Sequence, residues 1–385
     1  MSKVLNIAVI FGTRPEAIKM APVIKKIAAY PQAKVTCIVT AQHRQILDQV
    51  LELFNITPDI DLDIMQANQT LAGITNRVLS GLDDLFQKLR PDIVLVQGDT
   101  STAFVAGLAA FYHKIPVGHI EAGLRTDNIY DPFPEEMNRR MLTRIASLQF
   151  APTVWARQNL LNEAMPEESI YLTGNTVTDA LEMICQGLPA GLPDDLVQIP
   201  AGRRMLLVET HRRENLGAPM ASICRALSRV VESFPDVELV FSVHPNPKVR
   251  EVVMPMLQGR ERIHLLEPVP YPTLVRLMRE AHLILTDSGG IQEEAPSLGT
   301  PALVLRRTTE RPEGIKSGNA ILVGTDEQTI VNEASKILTD DALYKRMSQA
   351  ASPYGDGKAA ERIIEAILHF FGQREQRPEE FVSPI

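Results

Sequence analysis

The chain has 385 residues, 45% of them hydrophobic and 5% aromatic, which suggests two or three domains with ample apolar material for their cores. A net charge of −8 with no basic tract argues against nucleic acid as a partner, and no apolar run reaches the length of a membrane span. The three cysteines, Cys37, Cys185 and Cys224, are too dispersed for a disulfide framework or a metal knuckle, and read as ordinary buried thiols.

The first stretch, "MSKVLNIAVIFGTRP", places a strand where a signal peptide would lie and has no small-residue cleavage site, so a soluble, cytoplasmic protein is expected. Short β-branched runs then alternate with amphipathic stretches of helical length. "NIAVIFG" leads to "PEAIKMAPVIKKIAAY", "KVTCIVT" to "HRQILDQVLELF", and "DIVLVQGD" to "TSTAFVAGLAAFYH". "PVGHIEAG" follows, then a loop, then "PEEMNRRMLTRIA". This is a βαβ pattern and predicts a parallel sheet covered by helices on both faces. "GLPAGLPDDLVQIPAG" interrupts it with a Gly- and Pro-rich stretch that reads as an interdomain loop. The alternation restarts with "RRMLLVETH", "PMASICRALSRVVESF", "VELVFSVH", "HLILTDSGG" and "TPALVLR".

The expected fold is α/β, with two doubly wound Rossmann-like domains. The first spans residues 1–186, a linker loop 187–203, and the second domain 204–358. A helix over 359–372 is expected to pack back on the first domain, and the charged tail 373–385 to be loose. Ligands in such sheets sit beyond the carboxyl ends of the strands, so the active site is expected in the cleft between domains.

The polar clusters fall where strands should end. Gly12-Thr13-Arg14-Pro15-Glu16 follows the first strand, which would put Arg14 and Lys19 near a helix N-terminus suited to anions; a simple capped, solvated helix start accounts for it equally well. Asp99 follows "DIVLVQG" and reads either as an N-cap or as a functional acid. Glu121, after "PVGHI", is harder to explain as a solvated group. Glu135 and Glu136 open a helix, where acids are common for dipole reasons alone. His211 and His244 each follow an apolar strand, and a strand-end histidine with a backbone partner is the plain account of His244. In "LILTDSGGIQEEAPSLGTP", Ser288, Gly289 and Gly290 lie between a strand and a helix beginning near Ile291. Their hydroxyl and amides suit phosphate oxygens, Glu294 suits neutral hydroxyls, and Arg311 offers a planar fork to phosphate or a base. A tight strand-to-helix turn would also use two glycines. There is no G-x-G-x-x-G after a strand, no G-x-S-x-G, no P-loop, and no cluster with metal spacing. These features point to acid/base chemistry on a nucleotide-linked substrate without NAD or a metal.

Several strings in this order resemble one family: "FGTRPEAIKMAPVI", "TAQHRQILDQVL", "QGDTSTA", "GHIEAGLRT", "PFPEEMNRR", "TGNTVTDAL", "HRRENLG", "LTDSGGIQEEAPSLGTP" and "TTERPEG". From about residue 4 to about 370 the chain resembles the bacterial, non-hydrolysing UDP-N-acetylglucosamine 2-epimerases. The resemblance implies a glycosyltransferase-B type fold and reversible conversion of UDP-GlcNAc to UDP-ManNAc, a precursor of surface polysaccharide. It also implies a homodimer without cofactor. By position, Asp99, Glu121, Glu135 and His211 match catalytic residues. Arg14, Lys19, Arg139, His211, Ser288, Gly289, Gly290, Glu294 and Arg311 match UDP-sugar binding positions. Gln42, Gln45, Glu135, Arg212 and His244 match the site where bacterial members bind a second UDP-GlcNAc as an allosteric activator. The chain departs from the usual pattern at Glu209, an extra acid two residues before His211, and at Gln97, where many members have histidine. It also departs at Asn68, where some carry arginine, and at Arg307, where an acid is usual.

The C2 hydrogen of such a sugar is not acidic, so inversion there needs transient oxidation or elimination. Without a nicotinamide fingerprint, elimination is the expected route: UDP leaves, a carboxylate takes the C2 proton, and re-addition delivers a proton to the other face. Two faces call for two proton carriers. The readings set against this one are a glycosyltransferase, a hydrolysing epimerase, a silent sugar-nucleotide sensor, and an epimerase acting on a 2,3-diacetamido sugar.

Overall fold

The computed structural model describes residues 3–41, 44–65, 69–126, 128–193 and 196–384, the side chains of residues 44–46 excepted. The chain forms two compact units. One consists of Met1–Met183 with Tyr354–Ser383, the other of Ile184–Pro353 with Pro384–Ile385.

In the first unit β1 (Leu5–Phe11) leads through α1 (Arg14–Ala28) to β2 (Ala33–Val39), α2 (Arg44–Leu53), β3 (Ile60–Asp61) and α3 (Leu71–Leu89). Then come β4 (Ile93–Gln97), α4 (Ser101–Tyr112), β5 (Val117–Ile120), α5 (Glu135–Ile145), β6 (Leu148–Ala151), α6 (Val154–Asn162), β7 (Ile170–Leu172) and α7 (Thr176–Cys185), within which the chain passes to the second unit. The strands form a 7-stranded parallel sheet in the order β3-β2-β1-β4-β5-β6-β7. β4 is buried along its whole length and β1 everywhere except Leu5's neighbour Asn6. Such strands are covered on both faces, which is why they read as continuous apolar runs rather than alternating ones. The helices supply the cover. Ile74, Val78, Leu82 and Phe86 form a buried stripe at every fourth residue of α3. Thr70 caps that helix by accepting from Gly73 N at 3.1 Å, and Arg90, at φ 43°, ends it.

The second unit repeats the plan. β8 (Arg204–Glu209), α8 (Ala218–Ser233), β9 (Val237–Ser242), α9 (Pro247–Leu257), β10 (Ile263–Leu266), α10 (Tyr271–Glu280) and β11 (Leu283–Thr286) are followed by α11 (Gly289–Glu294), β12 (Ala302–Val304), α12 (Pro312–Lys316), β13 (Ala320–Leu322), α13 (Glu327–Thr339) and α14 (Asp341–Gln349). Its 6-stranded parallel sheet has the order β10-β9-β8-β11-β12-β13. In each sheet the order reverses between the first and fourth strands of the unit, the position at which doubly wound sheets bind ligands.

α15 (Ala359–Phe370) belongs to the first unit and packs on α1. The tail after it, expected to be loose, is docked there as well. Phe381 is buried and its N–H donates to Leu172 O at 2.9 Å. Arg377 lies 4.1 Å above the Tyr171 ring, and Arg157 bonds Glu380 at 3.0 Å. One aromatic anchor and a few cation contacts hold a stretch whose composition alone looks solvated. The expected linker is part of the second unit, with Arg279 and Arg276 donating to Pro189 O and Gly191 O at 2.7 Å. Burial pushes the Cys37 and Cys224 thiols up to about 12, as expected of inert core cysteines. Among the described residues no helix is long and apolar enough to cross a membrane.

Candidate active site

Glu121 directly follows β5. It is buried and adopts a left-handed backbone conformation, φ 65°, which few residues other than glycine take. The turn is enforced by Gly123, at φ 93°, where a Cβ would lie 2.2 Å from the Ala156 carbonyl oxygen. The strained turn carries the Glu121 carboxylate into a polar nest. Its Oε2 forms a buried ion pair with Lys19 Nζ and accepts from Gln97 Nε2 at 3.0 Å and Asn175 Nδ2 at 3.3 Å. The Gln97 departure therefore acts on Glu121.

Asp99 follows the adjacent strand β4. Its N-cap reading fails, because Thr100 caps α4 by accepting from Ala103 N at 3.0 Å. Asp99 Oδ2 instead accepts from Arg139 Nε at 3.0 Å and from Arg139 Nη2 in a two-point clamp. Asn138 holds the Asp99 carbonyl at 2.9 Å. The neighbouring acids of α5 have different settings. Glu136 is fully buried and binds Arg139 at 3.0 Å, Arg140 at 2.7 Å and the Thr126 N–H at 3.1 Å, whereas Glu135 is half-buried.

Two buried groups that sequence reasoning passed over hold these loops in place. Glu16 accepts from Gly12 N at 3.2 Å and Thr13 N at 2.8 Å with one oxygen, and from the Thr100 hydroxyl at 2.7 Å with the other. It thus ties the loop after β1 to the loop after β4, and burial pushes its pKa up to about 7 against those hydrogen bonds. His119, in β5, reaches the Gly98 carbonyl with Nε2 at 2.8 Å. Burial lowers its pKa to about 4, so the ring is neutral and Nε2 carries the proton. The capping pattern in "GTRPE" was the available signal for Glu16; a histidine inside a short apolar strand was the signal for His119.

In the second unit the corresponding loops follow β8 and β11. Asp287, fully buried, accepts from His211 N at 3.0 Å, Arg212 N at 3.1 Å and Asn215 Nδ2 at 2.7 Å, and from the Thr210 hydroxyl. This one carboxylate shapes the whole "THRREN" turn. The His211 ring, one third exposed, stacks on His244 with centroids 5.5 Å apart. Its Nδ1 meets Glu209 Oε1 at 3.0 Å. Burial works against the imidazolium, but the Glu209 hydrogen bond and charge and the charge of Asp287 outweigh it, so the pKa is raised. Glu209, His211 and Asp287 bring donor atoms within 4.8 Å of one another, as a cation site would. Both oxygens of Asp287 already accept hydrogen bonds from protein donors.

α11 begins at Gly289, two residues earlier than expected, and is six residues long. Ser288 precedes it, half-buried, with its N–H on Thr286 Oγ1 at 2.9 Å. Gly289 is glycine for a reason other than ligand approach: a Cβ would lie 2.6 Å from Arg311 Nη1. At Gly290 nothing lies closer than 3.8 Å, so that backbone is the open one. Arg311 is buried and bonded to Glu293 at 2.6 Å and to Glu310. Arg306 binds Glu310 at 2.7 Å and Glu214 at 2.9 Å. Burial alone would raise the Glu310 pKa, but Arg311, Arg306 and Arg212 hold it far below the carboxylate range.

A family model described as UDP-N-acetylglucosamine 2-epimerase matches residues 25–368. The chain belongs to the UDP-N-acetylglucosamine 2-epimerase family. The epimerase of Bacillus subtilis strain 168 is 52% identical over 381 residues, 99% of this chain and 100% of that one. Among solved structures, a relative from Listeria monocytogenes has a TM-score of 0.92 at 49% identity, covering 99% of this chain and 100% of that one. A Neisseria meningitidis UDP-GlcNAc 2-epimerase bound to UDP-GlcNAc has 0.91 at 44%, covering 94% and 100%. The family is one of isomerases, and the two Rossmann-like domains agree with the expected fold class.

The structure brings Lys19 to Glu121, Arg139 to Asp99, His211 to His244, and Arg311 to Gly289. Lys19, Arg139 and Arg311, expected to meet the substrate, are each engaged by carboxylates. Arg14 is exposed at the start of α1, and Glu294 is buried in α11. Of the expected activator positions, Arg212 and His244 lie in the second unit and Glu135 in the first. Gln42 and Asn68 lie outside the described residues, as does the side chain of Gln45. Arg307 is exposed.

Proposed function

We propose that the protein interconverts UDP-GlcNAc and UDP-ManNAc by eliminating UDP and adding it back, as a cytoplasmic homodimer without NAD or a metal. The observation that carries this reading is the pair of carboxylates at the ends of adjacent strands, Asp99 after β4 and Glu121 after β5, each held against a cation. The clamp on Asp99 and the ion pair on Glu121 hold two carboxylates at neighbouring strand ends, where one can act as base and the other as acid. The 52% identity to a relative named as this epimerase, and the UDP-GlcNAc bound to the Neisseria protein, favour the substrate.

In this reading the C1–O bond breaks and its electron pair leaves with UDP. The developing positive charge acidifies C2–H, one carboxylate takes the proton, and a C1=C2 double bond forms, giving 2-acetamidoglucal. Re-addition of UDP at C1, with a proton delivered to the opposite face of C2 by a second carboxyl group that carries a solvent-derived proton, gives the epimer. His211 and the open amide near Gly290, with Ser288, are the groups proposed to hold the departing diphosphate. A second UDP-GlcNAc near Arg212 and His244 is the proposed activator, and ManNAc-type precursors for surface polysaccharide are the proposed use of the product.

Proton NMR of the full chain with UDP-GlcNAc in D2O, without acceptor or NAD, tests the reading. UDP-ManNAc carrying deuterium at C2 supports it, and activity surviving exhaustive EDTA dialysis supports the metal-free form. Free ManNAc would replace it with a hydrolysing enzyme, and no turnover with UDP-GlcNAc bound would refute it.

A further inference from the structure

We propose that Glu209 is a positioning residue that commits His211 to binding the substrate diphosphate as an imidazolium. The proposal rests on the UDP-sugar reading above for the identity of the anion. Its structural basis is confined to the second unit. A carboxylate can only accept, so the 3.0 Å contact from Glu209 Oε1 requires a proton on His211 Nδ1. With that proton in place, neutral His211 has only a lone pair at Nε2, which repels phosphate oxygens. Nε2 can donate to an anion only when the ring carries both protons. Glu209 thus removes the alternative in which a neutral His211 donates through Nε2.

The surrounding groups favour the cation. Asp287 Oδ1 lies 3.7 Å from Nδ1 and adds negative charge from β11. His244, stacked on the ring from the end of β9, accepts the Asn246 N–H at its own Nδ1 at 3.1 Å, so that nitrogen is deprotonated and His244 places no second imidazolium beside the first. Arg212 is the opposing charge, and it is drawn toward Glu310, 4.0 Å away. Burial opposes ionisation, and the two acids prevail. Glu209 is itself steadied by the Thr286 hydroxyl at 3.5 Å, across the β8–β11 pairing. An exposed third of the His211 side chain leaves the ring reachable by a ligand.

Two measurements test this, both on the full chain and neither dependent on turnover. The first follows the His211 Cε1–H signal by NMR against pH in the wild type. Titration above the ordinary histidine range supports the proposal; titration at or below that range overturns it without any mutation. The second measures UDP affinity by calorimetry from pH 6 to 9 for wild type and Glu209→Gln, which keeps an acceptor for Nδ1–H and removes the charge. The expected result is a gap that widens as pH rises, reaching roughly tenfold at the alkaline end, the scale of one hydrogen bond to a charged group. A gap that is constant with pH means that Glu209 serves only as a structural contact, and overturns the proposal. Deuterium exchange at C2 reads the epimerase assignment separately, so the two can fail independently.

Discussion

The two units share a strand order, and each joins the loop after its first strand to the loop after its fourth with one buried carboxylate. They do it from opposite sides. In the first unit the acid lies just past the first loop, in the first turn of α1: Glu16 gathers Gly12, Thr13 and Thr100. In the second it lies on the fourth: Asp287 gathers Thr210, His211, Arg212 and Asn215. The remaining chemistry differs accordingly. The first unit sets Glu121 and Asp99 against Lys19 and Arg139, an arrangement suited to moving protons. The second sets a histidine against Glu209 and Asp287 and buries Arg306 and Arg311 among acids. The fold supplies one arrangement of strand-end loops twice, and a handful of side chains distinguishes the two.

The comparison predicts that proton transfer fails first through the first unit. Glu121→Gln and Asp99→Asn are expected to lower kcat by roughly 10²-fold to 10⁴-fold, the usual range for lost acid/base groups. Glu135→Gln is expected to lose at least the lower figure. Near-normal C2 deuterium exchange in any one of these removes that residue from the chemistry. Stability offers a sharper contrast. Lys19→Met strands a buried Glu121 carboxylate and should destabilise by about 3–5 kcal/mol in urea titrations. Asp287→Ala strands several donors at one loop and should cost about as much, with UDP binding lost as well.

A pH series isolates the tying acid of the first unit. The Glu16 pKa is raised from 4.5 to about 7, so the folded protein holds that proton more tightly than the unfolded chain. Its contribution is full below pH 4.5 and is lost as pH rises toward 7, by about 3 kcal/mol. Glu16→Gln should flatten that part of the stability profile relative to wild type; an unchanged slope would show that Glu16 is not the group responsible. The smallest effects distinguish the two glycines. Gly289→Ala should push on Arg311 and destabilise by about 1–3 kcal/mol. Gly290→Ala should leave urea stability near wild type yet weaken UDP binding, if a phosphate approaches that backbone.

Much of the fold was legible in order. Runs such as "IVLVQ" and "VELVFS" are long and apolar enough to announce buried parallel strands, and the break near residue 187 lies close to the unit boundary at 183/184. β3, at two residues, and β13, at three, are too short to show any period. The tail after α15 reads as loose because its charged composition hides the aromatic anchor Phe381, whose burial depends on a pocket made elsewhere in the unit.

At the candidate site the sequence by itself determined which residues stand at strand ends, since apolar runs must stop where polar turns begin. It also carried the family resemblance, through motifs long enough to be specific. Partnership was decided only by tertiary structure. That Gln97 bonds Glu121 rather than Asp99, that Gly289 makes room for Arg311 and that Glu209 meets His211 all depend on side chains brought together by parallel strands and crossover helices. Sequence spacing fixes the end of each strand, but hydrogen bonds and ion pairs between neighbouring strand ends are set by sheet register and packing, which no local pattern records.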